Sequence, residues 1–102
     1  MAEPFSTPGG ATLADQEVKE PRQSMVIMHN DDYTTMEFVV QILVEVFRKG
    51  IPEAQKIMMS VHEKGRGICG VYPVEIAETK VAIVHGRARE AGFPLRCTLE
   101  VL

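Results

Sequence analysis

The stretch MVIMHNDDYTTMEFVVQILVEVF, Met25–Phe47, decides how the chain reads. Met25–Met28 is a short apolar run of strand length. Asn30, Asp31 and Asp32 supply turn chemistry directly after it. Thr34, Thr35, Met36 and Glu37 then match a capping box, with Thr34 as the expected N-cap. Beyond it Met36, Val39, Val40, Leu43, Val46 and Phe47 recur at helical spacing and predict one apolar face, with Lys49–Gly50 as the stop. A buried strand that turns sharply into an amphipathic helix is the result.

Working outward, Pro52 suits the first turn of a second helix, whose stripe is Ala54, Ile57, Met58 and Val61 and whose C-terminal end carries His62. Gly67–Tyr72 reads as a strand, broken by Pro73. Val74, Ala77, Val81, Val84 and Ala88 predict a third helix, from about Val74 to Glu90, ended by Gly92 and Pro94. In the last segment Leu95, Cys97, Leu99 and Val101 alternate with Arg96, Thr98 and Glu100, the period of a half-buried strand. The order β-α-α-β-α-β predicts an α+β domain, a small three-stranded antiparallel sheet with three helices on one face. Met1–Ser24 carries three of the six prolines and few large apolar residues, so it reads as a flexible extension ahead of a domain spanning 25–102.

Composition narrows the function. With 102 residues there is one domain and a modest core, which favours a shallow surface pocket over a deep enzyme cavity. The net charge of −3 and the lack of a basic cluster interleaved with aromatics argue against nucleic acid as a partner. No apolar stretch approaches the roughly 20 residues that span a bilayer, and Met1–Gly10 lacks the pattern of a secretory signal. Cys69 and Cys97 read as buried free thiols of a reducing compartment, so the expected location is the cytoplasm. His29, His62 and His85 are far apart in sequence and no cysteine pair has ligand spacing, so neither a metal nor a cofactor is expected. There is no nucleophile elbow and no phosphate-binding glycine loop, which sets aside an enzyme built on Asp31 and His62.

The residues Asn30, Asp31 and His62 can be read for what they would bind. An ammonium group has three donors and no acceptor. An amide carbonyl, a carboxylate and a neutral imidazole nitrogen are matching acceptors. The same residues are equally an ordinary turn and a solvated helix end. Met36 and Met58 fit the core by position, although methionine also lines adaptable binding surfaces.

The motifs NDDYTTMEFV (Asn30–Val39), MMSVH (Met58–His62), GICGVY (Gly67–Tyr72), EIAETKVA (Glu75–Ala82) and PLRCTLE (Pro94–Glu100), collinear from Met25 onward, resemble the ClpS family, the bacterial N-end-rule adaptors of the ClpAP protease. The resemblance implies an adaptor rather than an enzyme. It would bind proteins that begin with Leu, Phe, Tyr or Trp and deliver them to the ClpA unfoldase. It implies that Asn30, Asp31 and His62 hold the α-ammonium group, with Asp32 and Thr34 in support. Met36, Val39, Met58, Val61 and Leu95 would line the side-chain pocket, Met36 being the gate against β-branched residues. Glu75 and Lys80 would dock the N-terminal domain of the unfoldase, and the extension would engage it during hand-over. An interaction module that binds the unfoldase alone is the competing expectation. Two positions depart from the family pattern. Thr35 replaces a proline, which implies a looser loop, and His29 replaces an apolar residue.

Overall fold

A computed structural model describes residues 20–102. The expected extension therefore lies, up to residue 19, outside the described residues. The elements are β1 (Gln23–His29), α1 (Met36–Glu45), α2 (Ile51–Lys64), β2 (Arg66–Pro73), α3 (Val74–Ala91) and β3 (Arg96–Val101). The sheet is antiparallel in the order β2-β1-β3, so β1 is central. This is the α+β arrangement and element order expected from the sequence.

The central place of β1 explains its composition. Ser24, Val26 and Met28 point to the helices and are fully buried. Ile27, on the opposite face, is also buried, because strands cover it on both sides. The run is thus apolar on both faces and does not alternate. The strand begins at Gln23, two residues before the expected Met25, and Gln23 pairs with Pro73. A bulge in β2 accommodates Cys69 between Ile68, opposite Ile27, and Gly70, opposite Val26.

The core lies between the sheet and the helices: Val26 and Met28 from β1, Val39, Ile42 and Leu43 from α1, Ala54 and Val61 from α2, and Ala77, Val84 and Ala88 from α3. Gly67 permits the close approach of α2 to β2, since a Cβ there would lie 2.8 Å from Val61 Cγ2 and 3.2 Å from the Ile57 carbonyl oxygen. Cys69 and Cys97 are free and buried. Hydrogen bonding with Cys97, then burial, pushes the Cys69 thiol far above its usual range, which leaves it an inert packing group.

Each helix end has its own device. Thr35 caps α1, not the expected Thr34: its hydroxyl accepts from the Phe38 amide at 3.1 Å. The Thr34 hydroxyl donates to Asp31 instead, as described below, which holds its side chain in the loop. Thr35 has φ −76°, within the range that proline imposes, so the backbone of a proline at this position is kept and a capping hydroxyl is added. At its other end α1 stops before the expected Lys49–Gly50. Arg48 takes the left-handed conformation at φ 59°, and the Lys49 amide donates to the Leu43 carbonyl at 3.1 Å. Gly50 instead caps the start of α2.

Both outer edges of the sheet carry a side-chain hydrogen bond. On β2 the Ser60 hydroxyl donates to the Arg66 carbonyl at 3.3 Å. On β3 the Cys97 amide donates to His85 Nε2 at 3.0 Å.

Candidate peptide-binding cleft

The turn between β1 and α1 is organised by one carboxylate. Asp31 Oδ1 accepts from the amides of Tyr33 (2.8 Å) and Thr34 (2.7 Å), and Oδ2 accepts from the Thr34 hydroxyl (2.7 Å). Burial alone would raise the Asp31 pKa. The three bonds from Thr34 and Tyr33 outweigh it and hold the carboxyl below the usual carboxylate range. A carboxylate has about four acceptor positions, so one remains for a further donor. Asp31 is thus first an organiser of the loop, with capacity left for one ligand bond.

A second link joins this loop to α2. The Asn30 amide donates to the Gly65 carbonyl at 3.0 Å. Gly65 itself ends α2 in the left-handed conformation, φ 88°, with its amide on the Val61 carbonyl. Asn30 and His62, 32 positions apart in the sequence, therefore share one rim.

Between the loop, the start of α1 and the last turns of α2 lies a cleft of about 260 Å³. Asn30, Asp31, Asp32, Thr34 and His62 form its polar side, and Met36, Val39, Met58 and Val61 its apolar wall. Ligand pockets run from about 300 to 1,000 Å³, so this one suits a single side chain better than a cofactor. All nine residues were named from the sequence. Met36 is 42% exposed, which places a flexible apolar side chain at the mouth. Leu95, the tenth expected residue, is not among those that line the cleft; it is 4% exposed and belongs to the core.

The two residues expected to dock a partner lie elsewhere, on α3. Glu75 is exposed in its first turn. Lys80 is only half-exposed. Its Nζ donates to the Val46 carbonyl at the end of α1 (2.7 Å) and lies 5.1 Å from the Tyr72 ring centroid and 6.0 Å from that of Phe47. Lysine here caps a helix C-terminus and lies against two aromatic faces, roles that the sequence did not signal. Exposed Ile76 and Ile83 share the outer surface of α3.

His29 also has a place. It faces away from the helices, is hydrogen-bonded through Nε2 to Thr98 Oγ1 at 2.7 Å, and pairs with Arg66 on one side and Arg96 on the other. Burial, then Arg96 and Arg66, lower its pKa. Among the described residues no group of three or more His, Cys, Asp or Glu side chains could hold a metal. No helix among them is long and apolar enough to cross a membrane.

Known proteins resemble the chain over most of its length. Residues 19–98 match the family model described as ATP-dependent Clp protease adaptor protein ClpS. The chain is 67% identical over 88 residues to the ClpS adapter of Nitratidesulfovibrio vulgaris strain Miyazaki F, covering 86% of this chain and 88% of that one. It is 61% identical over 88 residues to the ClpS adapter of Oleidesulfovibrio alaskensis, covering 86% and 85%. Among solved structures it is similar to Agrobacterium tumefaciens ClpS2 bound to L-phenylalaninamide, with 38% identity and a TM-score of 0.78 over 81% of this chain and 100% of that one. The chain belongs to the ClpS family of adaptor proteins of the ATP-dependent Clp protease, which are adaptors and not enzymes.

Proposed function

We propose that the cleft holds the N-terminal residue of proteins beginning with Leu, Phe, Tyr or Trp, and that the adaptor delivers them to a ClpA-type unfoldase in the cytoplasm. The observation that carries this reading is the division of the cleft: acceptors from Asn30, Asp31 and His62 on one side, Met36, Val39, Met58 and Val61 on the other. A free α-ammonium group meets the first and a side chain meets the second. L-phenylalaninamide, the ligand of the Agrobacterium relative, has both parts. Asp32 and Thr34 support the polar side, Thr34 through Asp31. Leu95 is a core residue and takes no part in the lining of the cleft.

Burying a Leu or Phe side chain contributes about 1.5–3 kcal/mol. Each hydrogen bond to the charged group contributes about as much, and association costs at least about 4 kcal/mol. The balance suits affinity of order micromolar or somewhat tighter. The ammonium supplies selectivity, because an internal residue presents only a neutral amide to Asp31.

Fluorescence anisotropy with one labelled peptide tests the reading. A free N-terminal Phe binds, the acetylated peptide does not, and an N-terminal Ile is rejected at the Met36 gate. Retained affinity after acetylation removes the ammonium site, and equal affinity for Phe and Ile removes the gate alone. Docking of the unfoldase is assigned to α3, with Glu75 as its free charge. Glu75→Ala abolishes unfoldase binding while the peptide still binds.

A further inference from the structure

The open face of the sheet, turned away from the helices, is arranged in rows. The strand register puts Arg66, His29 and Arg96 in the first row, Ile68, Ile27 and Thr98 in the second, and Val71, Met25 and Glu100 in the third. Directly paired residues of neighbouring strands stand on the same face. Ile68 is 51% exposed and Val71 48%, beside half-buried Met25. Met25, Ile27, Ile68 and Val71 adjoin one another across β1 and β2, so they make one continuous apolar patch. On the two edges of this sheet a side chain already occupies an outward backbone group, Ser60 on the Arg66 carbonyl and His85 on the Cys97 amide. The face has no such cover among the described residues.

Charge is placed at opposite ends of the patch. Arg66 and Arg96 are exposed in the first row and Glu100 in the third. Among the described residues none of the three has an ion-pair partner; the ion pair found there joins Arg87 to Glu45, on α3 and α1. The imidazole of His29 is bonded to Thr98, so it separates the two guanidinium groups without neutralising them.

This layout is complementary to itself about one axis. A two-fold axis lying in the face, perpendicular to the strands and through the middle row, sets Arg96 over Glu100 of a second copy and Glu100 over its Arg96. Ile68 and Ile27 then each meet their own counterpart, the reciprocal pattern of a two-fold contact. An axis along β1 instead sets Arg66 over Arg96 of the second copy, like charge on like. Sheets packed face to face keep their strands aligned and lie about 10 Å apart, a gap that an arginine and a glutamate side chain bridge together.

We infer that the open sheet face is a self-association surface and that its occupant is a second copy of this chain, with strands antiparallel, held by the apolar patch and by two reciprocal Arg96–Glu100 pairs. The patch is smaller than the about 800 Å² per partner of a standard interface, so the dimer is weak, with a Kd of order 100 µM. The cleft is built from the β1–α1 loop and the helices, on the other side of the sheet, so it stays open in the dimer. The inference is independent of what the cleft binds.

Sedimentation velocity of the full chain, from about 10 to about 500 µM, tests it, with a shift from monomer toward dimer across that range. Arg96→Glu and Glu100→Arg, both at exposed positions, each set like charges face to face, and each weakens association about tenfold or more. An equimolar mixture of the two variants restores it, because each residue then meets its opposite. A full chain that stays monomeric across the range overturns the inference. Association that survives undiminished in either single variant overturns it too, since another surface is then responsible. So does a mixture that stays monomeric where the unaltered chain associates, because that excludes this axis.

Discussion

The two ends of α1 solve the same problem in opposite ways. At the N-terminal end the polar groups are satisfied within the loop itself, by Thr35 on Phe38 and by Asp31 on Tyr33 and Thr34. Tertiary packing there is left incomplete, and the cleft is the result. At the C-terminal end a residue from 34 positions away, Lys80, supplies the cap and lies against two aromatic rings. Local bonds keep a rim open; a long-range bond closes the body. Damage to the first end should therefore appear in ligand affinity, and damage to the second in stability.

The largest effect is expected from Asp31→Ala. It frees two amides and a hydroxyl and removes one ligand acceptor. Hydrogen bonds to charged groups contribute about 1.5–3 kcal/mol each, so affinity for a Phe peptide falls about tenfold to a hundredfold or more. Titration calorimetry measures it, and a loss below threefold would reduce Asp31 to a bystander.

Gly67→Ala attacks the cleft from behind. The new methyl group must displace Val61, a wall residue, or the Ile57 carbonyl. Overpacking of this kind costs about 1–3 kcal/mol, read from urea unfolding, and peptide affinity falls with it. Lys80→Ala separates the ends more sharply. Loss of the cap and the aromatic contacts lowers stability by about 1–2 kcal/mol, while affinity for the Phe peptide stays within twofold. Loss of unfoldase binding in this variant counts as evidence for docking only after that destabilisation is accounted for.

Arg48→Gly works in the other direction. The left-handed conformation at φ 59° strains any side chain, so glycine raises stability by about 0.5–1 kcal/mol and leaves the cleft untouched. The smallest effect concerns His29. Its pKa is lowered on folding, so below about 6.5 the unfolded chain binds the extra proton more readily and stability falls as the pH drops toward the folded value. His29→Val should flatten that part of the profile, compared by urea midpoints at pH 7.5 and 5.5.

Much of this was legible in the sequence, for identifiable reasons. The alternation of β3 and the stripes of α2 and α3 follow from local periodicity. The cleft residues cluster in two short motifs, and one backbone bond, Asn30 to Gly65, unites them. What was not legible depends on competition or on register. Thr34 and Thr35 both offer a capping hydroxyl, and Glu37 made Thr34 look the better cap. The side chain of Asp31 decides between them, because it claims Thr34 first. Lys80 was expected only as a docking residue, since nothing nearby in sequence points to the Val46 carbonyl. His29 looked anomalous because Arg66 and Arg96 become its neighbours only once three strands are in register.

The bonds at the two sheet edges bear on how the protein behaves at high concentration. An outer strand offers unpaired backbone groups to any other chain that can extend beside it. Here the outward Arg66 carbonyl is occupied by Ser60 and the outward Cys97 amide by His85. A second molecule seeking to add a strand at either position must first evict a side chain that is held by its own helix. Edge-to-edge pairing of two copies of this sheet is thereby hindered on both flanks.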